Sequence, residues 1–292
     1  MRKMAGLTFA ALAGAMTLTA LPAAAQQAGQ QAPVRNITQI AGDLYRFQNN
    51  FHFSVFLVTP KGVIATDPIN ADAAKWLKEE IAKRFNQPVK YVIYSHDHWD
   101  HISGGEVFAD TATFVAHENA KREIIAEQRK TAVPDMTFSD KLTIELGGKR
   151  VELTYLGKGH SDDSIAMHFP AERTVFAVDL VSVNRLPWRF FWNAWIDDLV
   201  LGLKKLEAMD FDILAPGHGA MGTRADVATH RVYVEELRAE VLRRVRAKQP
   251  LEQVKAEVKM EKYSGWGNYK EWLGENVEGM YKHMENARLQ GN

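Results

Sequence analysis

Six consecutive residues concentrate the chemistry of this chain: His96-Asp97-His98-Trp99-Asp100-His101. All but Trp99 are imidazoles or carboxylates, and they follow Val89-Lys90-Tyr91-Val92-Ile93-Tyr94, an apolar run that reads as a buried strand. Such groups at the end of a buried strand are not a core-packing pattern, because each would need its own buried partner. A helix surface does not suit them either, since Ile102-Ser103-Gly104-Gly105 follows and breaks a helix. A tight loop, by contrast, can aim His96 and His98 at one metal ion and Asp100 and His101 at a second. Neutral imidazole and carboxylate are what zinc takes when no thiolate is offered. The chain has no cysteine, which also excludes a disulfide framework, a thiol nucleophile and an iron–sulfur cluster.

The elements that must position these residues come from an ordinary globular composition: 292 residues, 46% hydrophobic and 25% charged. Lys and Arg number 36 against 36 Asp and Glu, so there is no basic excess of the kind that nucleic-acid binding uses. The expected partner is a small-molecule substrate. At the N-terminus Arg2 and Lys3 precede an apolar run from Met4 to Leu21, and Ala23-Ala24-Ala25 offers small residues for a signal peptidase. Residues 1–25 therefore read as a signal peptide and 26–36 as a polar linker. Cleavage removes two positive charges and no acid, leaving a nearly neutral exported protein. The expected location is the periplasm, with no stable membrane association after cleavage.

Strand-like patterning runs from Ile37 to Ile69, with a Thr59-Pro60-Lys61-Gly62 turn inside it. A helix is expected over 71–85, closed by Pro88, and a buried strand over 89–94. A short helix over 105–109, a strand over 113–116 and a helix over 118–130 follow. Strands over 142–146 and 151–156 are joined by Gly147-Gly148, a hairpin signal. Strands over 164–169 and 174–178, a helix over 197–209 and a strand over 213–215 complete residues 37–223. The remainder, 224–292, is helical in pattern and reads as an extension packed on the same domain. The alternation implies an α/β domain with helices outside packed sheets.

The His-rich stretch matches the H-x-H-x-D-H signature and resembles the metallo-β-lactamase superfamily. The other motifs of that family occur in order at strand ends: Thr66-Asp67-Pro68, Gly159-His160-Ser161, Val178-Asp179 and Pro216-Gly217-His218-Gly219. The resemblance runs from about Ile37 to Gly222. It implies a four-layer αββα sandwich holding one or two metal ions, here two Zn²⁺, with iron or manganese as alternatives. It puts His96, His98 and His160 on the first metal and Asp100, His101 and His218 on the second, with Asp179 bridging. It also places Asp67 behind the loop as the acceptor that orients it. The implied activity is zinc-dependent hydrolysis by a metal-bound hydroxide, with Asp100 orienting that hydroxide and shuttling a proton to the leaving group.

The remaining histidines, His52, His117, His168, His230 and His283, have no motif context and read as core or surface residues. His52 and His117 lie where they could approach the rim of the site. The segment Leu186 to Trp195 carries two readings. In one, Trp188, Phe191 and Trp192 form an apolar wall with Arg185 or Arg189 to catch a carboxylate; in the other, the aromatics pack on C-terminal helices through Trp266, Trp272 and Tyr281 or form a dimer contact. Export favours a β-lactam first and a lactone or other small ester second. The alternatives are a thioesterase resembling hydroxyacylglutathione hydrolase, which shares a bridging Asp, and a di-iron redox protein of the same fold.

Overall fold

The computed structural model describes residues 32–191 and 195–290. The expected leader, residues 26–31 of the linker and Trp192 lie outside the described residues. A seven-stranded sheet follows chain order: β1 (Arg35–Ala41), β2 (Leu44–Asn49), β3 (His52–Thr59), β4 (Gly62–Thr66), β5 (Val89–Ile93), β6 (Thr113–His117) and β7 (Met136–Phe138). The first four strands pair antiparallel, and β4 to β7 pair parallel. The second sheet contains β8 (Lys141–Leu146), β9 (Lys149–Tyr155), β10 (Ile165–Phe169), β11 (Thr174–Ala177), β12 (Ile213–Ala215) and β13 (Gly222–Thr223), in the order β13-β12-β11-β10-β9-β8. Gly147 and Gly148 both take positive φ, 58° and 80°, as a two-residue turn joining β8 to β9.

Helices α1 (Ala71–Phe85), α2 (Trp99–Ile102), α3 (Glu118–Ala126), α4 (Ile196–Glu207), α5 (Arg224–Arg246), α6 (Leu251–Glu257) and α7 (Tyr269–Gln290) complete the chain. Helix α1 shows why the expected span holds. Asn70 caps it by accepting from the Ala73 amide, Asp72 lies in its first turn, Lys83 and Arg84 in its last, and Asn86 leaves it left-handed at φ 51°.

The inner faces of the two sheets meet in one apolar layer that includes Leu57, Ile64, Ile93, Leu153, Met167 and Phe176. Outside the first sheet, Ala73, Leu77 and Ile81 of α1 and Ile124 of α3 cover Phe56, Val63 and Val92. Outside the second, Leu203 and Leu206 of α4, Val234 and Leu237 of α5 and Val277 of α7 cover Ala166, Val175 and Ala177. The result is the αββα sandwich. Chain segments leaving β4, β5, β9, β11 and β12 emerge at one end of it, and β3 begins there. That end carries Asp67, His96, His160, Asp179, His218 and His52.

Four local differences from the sequence expectations bear on the site. Strand β1 begins at Arg35, two residues inside the expected linker. The six-residue motif is not a loop throughout, because Trp99–Ile102 form the helical turn α2 with His98 as its extended N-cap residue. Successive side chains on a helical turn fan out by about 100°. Trp99 therefore faces solvent while His101 is fully buried. Helix α3 stops at Ala126 rather than Lys130: Gln128 turns left-handed at φ 50°, its amide donates to Ile125 and the Arg129 amide to Ile124. That early stop turns Arg129 back so that its Nη2 donates to Asp97 (2.8 Å) inside the motif. The short strand β7 carries no sequence signal beyond three residues and was not expected.

The C-terminal helices also hold the aromatic segment that begins at Leu186. Asn276 of α7, fully buried, accepts from the Tyr233 hydroxyl (2.7 Å) and donates to the carbonyls of Pro187 (3.1 Å) and Arg189. Replacing it by alanine leaves a buried hydroxyl and two carbonyls unpaired, a cost of about 3 kcal/mol. For Asn276→Ala a thermal melt is expected to show Tm about 6–12 °C lower; an unchanged Tm would mean that water replaces the amide.

Candidate metal centre

The donors lie on segments that leave strand ends, Asp100 and His101 on the helical turn α2 after β5, and the backbone there is specific. Asp179 follows β11 at φ 59°, and the Leu180 amide donates across it to the Val178 carbonyl (2.8 Å), a three-residue turn of the strained hand. Aspartate tolerates this region better than a bulkier residue would. Gly217 precedes His218 where a Cβ would come within 2.5 Å of Val178 Cγ1 and 2.9 Å of His101 Cε1. The His218 loop is further held by the Phe53 amide donating to Gly217 (2.8 Å) and by Arg46, whose Nη2 donates to the carbonyls of Gly219 (2.8 Å) and Pro216 (3.3 Å).

The side chains converge on Asp179. Its Oδ2 lies 3.2 Å from His101 Nε2, 3.5 Å from His160 Nε2 and 3.8 Å from His96 Nε2, and its Oδ1 lies 3.4 Å from His218 Nε2. His98 Nδ1 approaches His160 Nε2 at 2.9 Å, and His101 Nε2 approaches His218 Nε2 at 3.1 Å. Three compact donor sets result among the described residues: His96, His98, His160 and Asp179; His101, Asp179 and His218; and His52, Asp100 and His218. The six expected ligands and the expected bridge are thus brought together at one place, and His52 joins them.

Hydrogen bonding on the outer side of two rings fixes their tautomers. Asp67, fully buried, accepts from the Ser95 amide (2.8 Å) and the Ser95 hydroxyl (2.6 Å). With its proton committed to Asp67, Ser95 Oγ accepts from His96 Nδ1 (2.9 Å). His96 Nε2 is then a bare lone pair, buried and without a hydrogen-bond partner among the described residues. His218 Nδ1 donates to the Phe51 carbonyl (2.9 Å), which leaves its Nε2 bare as well. Lone pairs aimed at one another and at a carboxylate fit a divalent cation and little else.

Ionisation follows the same logic. Burial, and then the neighbouring histidines, push His96 well below the usual imidazole range, and burial with His160 holds His98 at about 4. Both are therefore neutral and ligand-ready at neutral pH. Burial pulls His101 down too, but the Asp179 charge more than reverses it, to about 9. Asp179 is held well below the usual carboxylate range: burial raises it, and His101 outweighs that.

Other residues singled out from sequence divide. Asp67 hydrogen-bonds Ser95 and acts on His101 through its charge alone, with His101 Nδ1 3.8 Å away. Arg189 is committed to Glu275 by two hydrogen bonds (2.8 and 2.6 Å), which removes it from the carboxylate-catching position. Arg185 lies half-buried over the Trp272 ring and close enough to Asp179 to feel its charge. Trp188 meets Trp272 edge to face and Phe191 is buried with Val277 and Met280, so this segment packs on the C-terminal helices as its second reading expected. Of the histidines without motif context, His117 stacks on Tyr155 and bonds the Ser139 carbonyl, and His230 is buried against the Ser182 amide. Ser95 and Asp163 had a legible signal in retrospect, as polar residues flanking His96 and following His160. Arg46, 170 residues from its partner Pro216, had none.

Residues 52–218 match the family described as the Metallo-beta-lactamase superfamily. The chain is 32% identical over 166 residues to the 2,4-dinitroanisole O-demethylase subunit alpha of Nocardioides sp. (strain JS1661). That stretch is 54% of this chain and 49% of the subunit, so the chain spans about half the length of that relative. It is 29% identical over 180 residues to the metallo-beta-lactamase type 2 of Elizabethkingia meningoseptica, covering 58% of this chain and 72% of that one. A metallo-beta-lactamase from Pontibacter korlensis shares the fold, with a TM-score of 0.62 over 69% of this chain and 99% of the other at 21% identity.

Two outcomes are expected. Ser95→Ala breaks the link from Asp67 to His96 and is expected to weaken the first metal's affinity about 10–100-fold in chelator competition; unchanged affinity would contradict the tautomer argument. Asp163 is fully buried, and burial with the Asp97 charge pushes its carboxyl up to about 8, against a smaller pull from Ser161 and the Asp97 amide. An acid raised on folding holds its proton more tightly in the folded state, so its contribution to stability falls as pH rises from about 4 to 8. Denaturant melts of the metal-free Asp163→Asn protein are expected to lose part of that slope, whereas a slope identical to the parent would refute the assignment.

Proposed function

The chain belongs to the metallo-β-lactamase superfamily, and we propose that it is a dinuclear zinc hydrolase that opens a carbonyl C–N or C–O bond in a small molecule, a β-lactam first and a lactone or other ester second. The observation that carries this is the sharing of Asp179 between two histidine sets. Zinc ions bound there would lower the pKa of a coordinated water toward ~7 and polarise the substrate carbonyl. No serine or cysteine nucleophile is then required.

The chain's own residues supply orientation and proton movement. Burial pushes the Asp100 carboxyl up, but the surrounding imidazoles of His218, His52 and the charged His101 together outweigh burial and keep it ionised. Its Oδ2 faces the three imidazoles, and because the side chain, unlike that of Asp67, is partly exposed, Oδ1 is the oxygen that would carry a proton to the departing nitrogen or oxygen. Arg185, close enough to Asp179 to feel its charge, is a cation available for a substrate carboxylate. Three exposed aromatics are chain neighbours of the site residues or bonded next to one: Phe51 (82%) precedes His52, Trp99 (67%) lies between His98 and Asp100, and the amide of Trp195 (38%) donates to Gly159 next to His160. Exposed aromatic surface of this extent beside a polar site favours a substrate with an apolar or aromatic body.

These aromatics support a second reading, cleavage of an aryl methyl ether, after the reaction named for the demethylase subunit. The thioesterase alternative shares the metal set but gains nothing from exposed aromatics next to it. Export to the periplasm, proposed from Arg2, Lys3 and the apolar run after them, would place the enzyme where β-lactams and lactones are met.

Nitrocefin, a lactone, S-lactoylglutathione and 2,4-dinitroanisole assayed in parallel with the zinc-loaded mature chain separate these readings. Nitrocefin turnover is expected, lost on metal removal; turnover of the ether alone would replace the first reading by the second. Asp179→Ala is expected to lose the second metal and at least about 100-fold in rate, and a variant with two metals and full rate would overturn the bridge.

A further inference from the structure

His52 has no place in the family motifs, yet the fold carries it into the site. It opens β3, pairs with His218 as an isolated antiparallel bridge, and is flanked by the Phe51 carbonyl on His218 Nδ1 and the Phe53 amide on Gly217. Its backbone is therefore fixed at the same point as the His218 loop. While the Phe51 side chain turns to solvent, the His52 ring turns inward, 4.7 Å from the His218 ring and 5.9 Å from that of His101, edge to face with both.

The distances around Asp100 state what this position is for. Three imidazole nitrogens surround Asp100 Oδ2: His52 Nε2 at 3.3 Å, His101 Nε2 at 3.5 Å and His218 Nε2 at 3.6 Å. All three exceed the roughly 2.7–2.9 Å of a charge-assisted hydrogen bond. They match instead the edge of about 3.3 Å that separates two donors bound at 2.0–2.1 Å to one tetrahedral ion. His52 is thus spaced from Asp100 as His101 and His218 are, and it forms a compact donor set with Asp100 and His218.

We propose that His52 is a protein ligand of the second metal position, alongside Asp100, His101, His218 and Asp179; the inference rests on the dinuclear reading above. The position then has three nitrogen and two oxygen donors. Zinc accepts that by expanding to five-coordinate. The subset of His52, His218 and Asp100 is also a two-histidine, one-carboxylate set of the kind that suits iron(II). A ligand from the first turn of β3 would tie the N-terminal sheet directly to the metal.

Cobalt(II) titration of the metal-free chain, read by visible absorption and chelator competition, tests this without reference to turnover. The parent is expected to bind two equivalents. His52→Ala is expected to bind the first equivalent unchanged and the second about 100-fold or more weakly, beyond most losses of an outer hydrogen-bond partner, with an altered absorption band. His52→Gln, which can still donate to Asp100, is expected to behave like the alanine variant. Recovery of parental affinity by glutamine would make His52 a hydrogen-bond partner of Asp100 and overturn ligation. So would a second equivalent of parental affinity and spectrum in His52→Ala. A parent that binds one equivalent or none would overturn this inference and the dinuclear reading together, whereas two equivalents with indifferent variants overturn this inference alone. Circular dichroism and Tm of the metal-free variants, expected to match the parent, separate loss of a ligand from loss of fold.

Discussion

Imidazole lone pairs and carboxylate oxygens crowd one end of the sandwich within 3 to 4 Å of one another, and they repel unless a cation lies among them. Every strand end there serves that constraint. His96 and His218 have their outer nitrogens committed to Ser95 and to the Phe51 carbonyl, so their inner nitrogens can only accept. Removing such a group from water without a compensating partner costs several kcal/mol. The metal-free chain meets part of that cost with a proton shared between His101 and Asp179. A divalent cation meets it more completely and for all the donors at once.

The scaffold is arranged to keep the donors from relaxing away. Asp179 sits in a left-handed three-residue turn, and Gly217 allows the His218 loop to lie against Val178 and His101 where no larger residue fits. Asp67 is sealed beneath the motif loop, and Arg129 and Arg46 brace the loops from either side. Strain and buried polar groups are tolerated at this end because the two sheets and their covering helices form continuous apolar layers behind it.

Much of this was legible in the sequence, for reasons that differ by element. Helix α1 was readable to the residue because its caps, dipole charges and apolar stripe agree. The metal set was readable because its members fall in short motifs, each directly after a strand whose apolar run is easily seen. Helix α2 was missed because Gly104 and Gly105 suggest a break, while a single helical turn needs little sequence to form. The end of α3 was misplaced because Gln128 gives no hint that it will turn left-handed. Arg189 read as a free cation since Glu275 lies 86 residues away, a pairing that only the packing of α7 creates. His52 reads from sequence only as a residue near the rim for the same reason: its partner Asp100 follows β5, two strands away in the sheet, and nothing local in Phe51-His52-Phe53 encodes that meeting.

The metal centre admits a direct test. Crystals of the zinc-loaded chain, measured at and below the zinc absorption edge, would locate the metal by anomalous scattering. The account predicts two peaks, one among His96, His98 and His160 and one among Asp100, His101 and His218, with Asp179 between them. A single peak, or two peaks that do not share Asp179, would contradict it.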